Sequence, residues 1–451
     1  MISPLDSAIF GDLFTVDDRI AQQFADRRRL ADLVDVEVAL ARAEAEVGVI
    51  PGPAAEAIAS AAARLELDLP AIRQGVAASG VPTIDVVRQL RIAAGPEAAA
   101  FVHRGATSQD IVDTAAILAI RRATTLIEAR LQEAVASLIE LADRHRATVM
   151  AGRTHGQQAS PITFGLKAAN WLSPLPRHWQ RLAALKPRLF VVQLGGAAGT
   201  LAALGDRGPA VLEALARRLD LGPSTPWHTQ RDAVVEYGGW LALLTGSLGK
   251  IGQDVILLSQ SEVGEVLEST DASRGGSSTM PHKANPIGSE TMVVAARATG
   301  ALQSALQAAA IQEHERSTHG WTLEWLVLPQ MIALAYGAAA HAARVARHLH
   351  VDVARMRENI GRAADVAIAE PMAIALAAQI APAEAHALVR DAAIEARASR
   401  ESLVAAVRRA AIAKGLDRGI DWDRLADPSA HLGAANAFID RILDEAKRIV
   451  R

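Results

Sequence analysis

The 451-residue sequence predicts an all-α protein of three domains with a bundle of long helices at its centre, and three observations carry that prediction. From Ile111 to Met150 there is no Gly or Pro, while Leu118, Leu126, Leu131, Val135, Leu138 and Leu141 recur at helical spacing. At about 1.5 Å per residue such a helix approaches 60 Å and needs long neighbours. Those neighbours are predicted at 162–183 (broken or kinked at Pro174 and Pro176), 233–268, 289–312 and 321–350. Third, alternation of apolar and polar residues between hairpin turns is nearly absent, 189–194 being the one short run with strand character, and there is no βαβ pattern.

Taken in order, shorter helices are expected at 31–47, 54–64 and 71–78, then the long bundle, then shorter helices again after about Asp352. The simplest partition is a helical domain over 1–108, the bundle over 109–352 and a C-terminal helical domain over 353–451. The bundle helices are poor in polar residues on several faces, so packing against further copies of the chain is expected. The piece Gly195-Gly196-Ala197-Ala198-Gly199 is half a dinucleotide fingerprint without its βαβ unit, and reads as a tight turn.

Half of the residues are hydrophobic, and 47 basic residues nearly balance 50 acidic ones along the chain, which leaves no electrostatic footprint for nucleic acid. An anionic ligand must therefore be held by local charge. The absence of cysteine removes disulfides and thiolate chemistry and fits a cytoplasmic protein. The first residues, Met-Ile-Ser-Pro-Leu-Asp, lack the basic start and apolar run of a signal peptide. The longest uncharged stretch, 325–343, is about as long as a membrane span, but Pro329, Gln330 and His341 within it point to a buried bundle helix. No membrane partner is expected.

Four segments concentrate polar residues that a helical core does not require. In the first, 102–110, the hydroxyls of Thr107 and Ser108 before the longest helix can hold a carboxylate, or Ser108 or Asp110 can simply cap the helix. In the second, 152–161, His155 beside Arg153, Thr154 and Gln157 can transfer a proton or be a solvated loop histidine. The third, 273–286, combines glycines, the paired Ser277 and Ser278, and Lys283 with Asn285, a pattern suited to proton transfer and oxyanion stabilisation on a mobile loop. The fourth, Gln312 to His319, breaks two apolar helices. Its histidines at 314 and 319 are five apart, not the four that share a helix face, so no metal is expected; Arg316 is either an anion clamp or part of a solvated helix end.

Segment three resembles the signature loop of the fumarase/aspartase superfamily, and segments one and two resemble its other two signature regions, in the same order. The likeness covers essentially the whole chain. It implies three all-α domains, a homotetramer built round about twenty helices, no cofactor, and active sites each assembled from three subunits. It further implies that Ser277 is the base of the loop, that Lys283 and Asn285 stabilise an aci-carboxylate dianion, and that His103, Thr107 and Ser108 bind a substrate carboxylate. His155 matches the general acid of the adenylosuccinate branch.

Within the superfamily the chain is most similar to the bacterial 3-carboxy-cis,cis-muconate cycloisomerases, on the runs Trp227-His228-Thr229-Gln230-Arg231-Asp232 and Gln312-Glu313-His314-Glu315-Arg316 with Trp321, Glu324 and Trp325. The resemblance implies lactonisation of 3-carboxy-cis,cis-muconate in the protocatechuate branch of aromatic degradation. There a carboxylate leaves in the reverse direction and needs little acid assistance, so His155 either acts or only orients. A small polycarboxylate needs several cationic or amide-rich contacts, for which Lys283, Arg316, Arg231 and Arg153 are the supply, and Thr154, Gln157, Ser278 and Asn285 are further substrate-binding candidates. The alternatives are a lyase of the adenylosuccinate type that releases fumarate, and a non-catalytic helical scaffold.

Overall fold

The computed structural model describes residues 3–271, 275–276, 279–280, 283–362, 368–399 and 401–450. Ser277 and Ser278, the expected base and its neighbour, lie outside them.

Helix dominates as expected. The run without Gly or Pro forms one helix, Ser108–Arg144, and the other long helices are Asp232–Leu258, Ile287–Ala309 and Gly320–His348. Two of these, Asp232–Leu258 and Gly320–His348, are long and apolar enough to cross a bilayer. In Gly320–His348, however, 83% of the most apolar stretch is buried inside the chain, which makes it a core helix.

Two expectations are corrected. Residues 189–194 do not form a strand: the helix Leu175–Leu189 runs into them, and Val191 makes only an isolated bridge to Gly222. The real hairpin is formed by Val149–Thr154 and Gln157–Thr163, an antiparallel pair read from sequence as helix end and loop. Helix 162–183 accordingly starts late and divides. The Thr163 hydroxyl caps Phe164–Leu172 by accepting from Leu166 N at 3.0 Å, and a second helix, Leu175–Leu189, follows Pro174.

The described chain divides into two compact units. The first comprises 1–131, 177–249 and 291–340; the second comprises 132–176, 250–290 and 341–451. The expected boundary at 108/109 falls inside the first unit and that at 352/353 inside the second. The N-terminal helices Asp26–Glu46, Gly52–Ala62 and Thr83–Ala94 close over their own core of Ile50, Ile58, Val87, Leu90 and Val102. The C-terminal helices close over another, around Met372, Leu376, Leu403, Val407 and Trp422. Each core removes enough apolar surface to hold its short helices in place, which their propensities alone would not do.

Candidate active site

Segments one and four belong to the first unit. Segment one turns into the start of Ser108–Arg144, where Asp110 reaches back to accept the backbone N–H of Thr107 at 3.0 Å, half of a capping box. Asp110 is fully buried and accepts four further donors: Gln193 Nε2 (3.1 Å), Gly195 N (2.9 Å), Gly196 N (2.9 Å) and His228 Nε2 (2.7 Å). Burial pushes its carboxyl up, but His228, by hydrogen bond and charge, together with Gln193 and the Thr107 N–H outweighs that and holds it below the ordinary carboxylate value. The capping task thus falls to Asp110. The hydroxyls of Thr107 and Ser108 make no hydrogen bond among the described residues and remain half-exposed at the helix start. The glycine-rich piece is a turn, as expected, and its amides hold Asp110.

The same turn holds Arg316. Its guanidinium donates to Gln109 Oε1 (3.1 Å), Ala197 O (2.7 Å) and Gly196 O (3.4 Å), and no carboxylate touches it among the described residues. Arg231 is placed differently. Only 4% exposed, it lies between Asp113 (2.7 and 3.1 Å) and Glu324 (2.8 and 2.6 Å), with its guanidinium 4.6 Å from the centre of the Trp227 ring. Burial alone would lower its pKa; the two carboxylates more than reverse this and raise it. Trp321 Nε1 (2.8 Å) and Gln109 Nε2 (3.1 Å) also donate to Asp113. Arg231 is therefore neutralised within the protein, whereas Arg316 keeps its charge.

His103 precedes this helix in a left-handed conformation (φ 63°), and its Nδ1 lies 2.6 Å from the Oε1 of buried Glu37. Burial lowers the imidazole's pKa, but the hydrogen bond and charge of Glu37 prevail and raise it. Asp113, Gln109 and Glu37 were not among the expected site residues.

Segments two and three belong to the second unit. Thr154 pairs with Gln157 across the hairpin, leaving His155-Gly156 as a two-residue turn. Both have positive φ, 50° and 77°, the signature of a type I′ turn that follows strand twist, with Gly at the second place. Thr154, His155 and Gln157 are all exposed at this tip. The strand is anchored by Arg153, bidentate to buried Glu265 (2.8 and 2.6 Å), to which Asn359 Nδ2 also donates (2.8 Å). Like Arg231, Arg153 is spent on the protein.

Lys283 and Asn285 sit at the end of the signature loop. Asn285 N donates to Gly275 O (2.8 Å), and Gly276 bridges Ala284, so the loop closes at its base. Gly275 has φ 68°, and a Cβ there would lie 2.3 Å from Asn285 O. Lys283 is exposed and contacts no carboxylate among the described residues. The following helix, Ile287–Ala309, is capped by Glu268, which accepts from Gly288 N (2.9 Å), Ser289 N (2.8 Å) and Ser289 Oγ (2.6 Å).

In the first unit, free hydroxyls at a helix start lie on the same framework as an arginine held by neutral oxygens, groups suited to binding an anion; in the second, Lys283 is an exposed cation. The sequence profile of a family described as lyase matches residues 11–300. The chain belongs to that family and is an enzyme of the fumarase/aspartase superfamily. It is 47% identical to a 3-carboxy-cis,cis-muconate cycloisomerase of Pseudomonas aeruginosa over 94% of its own length and 93% of the relative's. It is 39% identical to the enzyme of the same name from Acinetobacter baylyi over 98% and 99%. The crystal structure of the 3-carboxy-cis,cis-muconate lactonizing enzyme from Pseudomonas putida superposes with a TM-score of 0.92 at 42% identity, covering 99% of this chain and 100% of that one.

Proposed function

We infer that this chain catalyses the reversible lactonisation of 3-carboxy-cis,cis-muconate to 4-carboxymuconolactone, within aromatic catabolism. The observation that carries the reading from the chain's own residues is Arg316. It is a cation held only by neutral oxygens, on the same buried framework as the free Thr107 and Ser108 hydroxyls, and so suited to a substrate carboxylate. The names of its relatives support the particular substrate.

In the lactonising direction a substrate carboxylate oxygen adds to the diene and forms a C–O bond. The displaced π-electron pair moves to the carbon next to another carboxylate, which becomes an aci-carboxylate, and a proton then closes the reaction. Lys283 and Asn285 stabilise the dianion; Ser277 carries the proton; His103, Thr107, Ser108 and Arg316 hold carboxylates; Thr154, Gln157 and Ser278 orient the substrate. His155, at its hairpin tip, orients the substrate or assists the proton. Arg231 acts indirectly, through the framework that places Arg316.

The chain works as a homotetramer in the cytoplasm. In support, Leu243, Leu257, Val294 and Leu326 on three of the long helices are exposed in the single chain. Light scattering after gel filtration should give four times the chain mass.

The activity is tested by mixing purified protein with 3-carboxy-cis,cis-muconate and following the diene absorbance without added metal or nucleotide. Loss of the band supports the reading. An unchanged band, with fumarate released from adenylosuccinate, would replace it with the adenylosuccinate-type lyase.

A further inference from the structure

Two carboxylates lie beneath segment one without any task in the reaction as described. Glu37 and Glu44 both belong to helix Asp26–Glu46, seven residues or about two turns apart, so they share its buried face. They are 2% and 0% exposed. Glu37 Oε1 accepts from His103 Nδ1 at 2.6 Å, while its Oε2 and both oxygens of Glu44 have no hydrogen-bond partner. Buried carboxylates without donors are costly, and a helix needing only to pack would carry leucine at these positions.

We propose that Glu37 is a positioning residue for the reaction: it fixes the His103 ring with Nδ1–H donated inward and keeps the imidazole cationic, so that Nε2–H is presented to a substrate carboxylate. The geometry supports this in two ways. An Nδ1···Oε1 distance of 2.6 Å is that of a charge-assisted bond, and Nε2 makes no hydrogen bond among the described residues. The second is that this hydrogen bond to Glu37 is the contact that orients the ring among the described residues.

The groups that face the pair all enter its pH dependence. Glu37 and, more weakly, Asp110 of the long helix favour the imidazolium; Arg91 of helix Thr83–Ala94 and the ring's own burial oppose it. Glu44 lies behind Glu37 and is pushed up to about 8, by burial first and then by the charge of Glu37, against the pull of Arg104. Glu44 is therefore mainly uncharged at neutral pH, and Glu37 is the carboxylate in direct contact with His103. Since the folded His103 pKa is raised, its cation is present at low pH and lost as pH climbs through that value. Substrate binding should weaken there.

This inference rests on the proposed carboxylate substrate, and the experiment separates the two. The imidazole C2 proton of His103, assigned by its loss in His103→Gln, is titrated by NMR in ligand-free wild type and in Glu37→Gln. Kinetics with 3-carboxy-cis,cis-muconate are measured on both proteins from pH 5.5 to 9.5. The expected result is a His103 titration lowered by about one pH unit in Glu37→Gln, an alkaline limb of kcat/KM lowered with it, and a KM raised about tenfold while kcat changes less than about threefold. Glu37→Asp should recover part of the shift. A His103 titration that is the same in both proteins overturns the proposal, whatever the substrate proves to be. So does a Glu37→Gln enzyme that loses kcat at constant KM.

Discussion

Glu44 offers the sharpest test of whether the interior of the first unit is as dry as its packing implies. Its side chain is fully buried without a donor, so the folded chain keeps it protonated to about pH 8, whereas the unfolded chain ionises it near the ordinary 4.5. Between these values the unfolded state has one proton fewer than the folded state. Stability therefore falls as pH rises through the window, by about 1.4 kcal/mol per pH unit. At pH 7 the accumulated cost is at most about 3 kcal/mol. Glu44→Gln keeps the size and shape of the protonated acid but cannot ionise, so it should match wild type near pH 4.5 and exceed it increasingly up to pH 8. Denaturant unfolding at pH 5, 6, 7 and 8, at one fixed protein concentration, measures the difference. A gap between variant and wild type that stays constant with pH would refute the reasoning, since it would mean that Glu44 is ionised in both states.

Two other outcomes follow from the site. Arg316→Ala removes the cation held by Gln109 and the Gly196 and Ala197 carbonyls, and should lower kcat/KM about 10- to 150-fold, mainly through KM, the range expected for a hydrogen bond to a charged group. Gly275→Ala forces a Cβ into the Asn285 carbonyl at a positive φ, so steady-state assays should show kcat falling at least about tenfold while the melting temperature moves by only a few degrees.

The long helices were legible because a stretch such as 111–150 offers neither a Gly nor a Pro to end it, and its leucines keep one period. The hairpin was not, because its strands carry Gly152 and Pro161 inside them and alternate poorly. The available signal was His155-Gly156, since histidine tolerates positive φ better than most residues and Gly accepts it freely, as in an Asn-Gly turn. Glu37 and Glu44 also left a trace. With Leu33 and Leu40 they fall on one helical stripe, at spacings of four, three and four, so two acids interrupt a face that is otherwise apolar.

Composition could not sort the cations, because Arg153, Arg231 and Arg316 are the same residue and differ only in what surrounds them. The sorting is done by carboxylates distant in sequence: Glu265 takes Arg153, and Asp113 with Glu324 takes Arg231. What remains for Arg316 is settled by one buried amide. Gln109 donates through Nε2 to Asp113 Oδ2 (3.1 Å) and to His228 O (2.9 Å), and these two acceptors force its Oε1 to be the end that meets Arg316. A neutral acceptor thus stands where a carboxylate would have cancelled the charge. Asp113 serves both arginines: it neutralises Arg231 directly and, through Gln109, holds Arg316 in place with its charge intact.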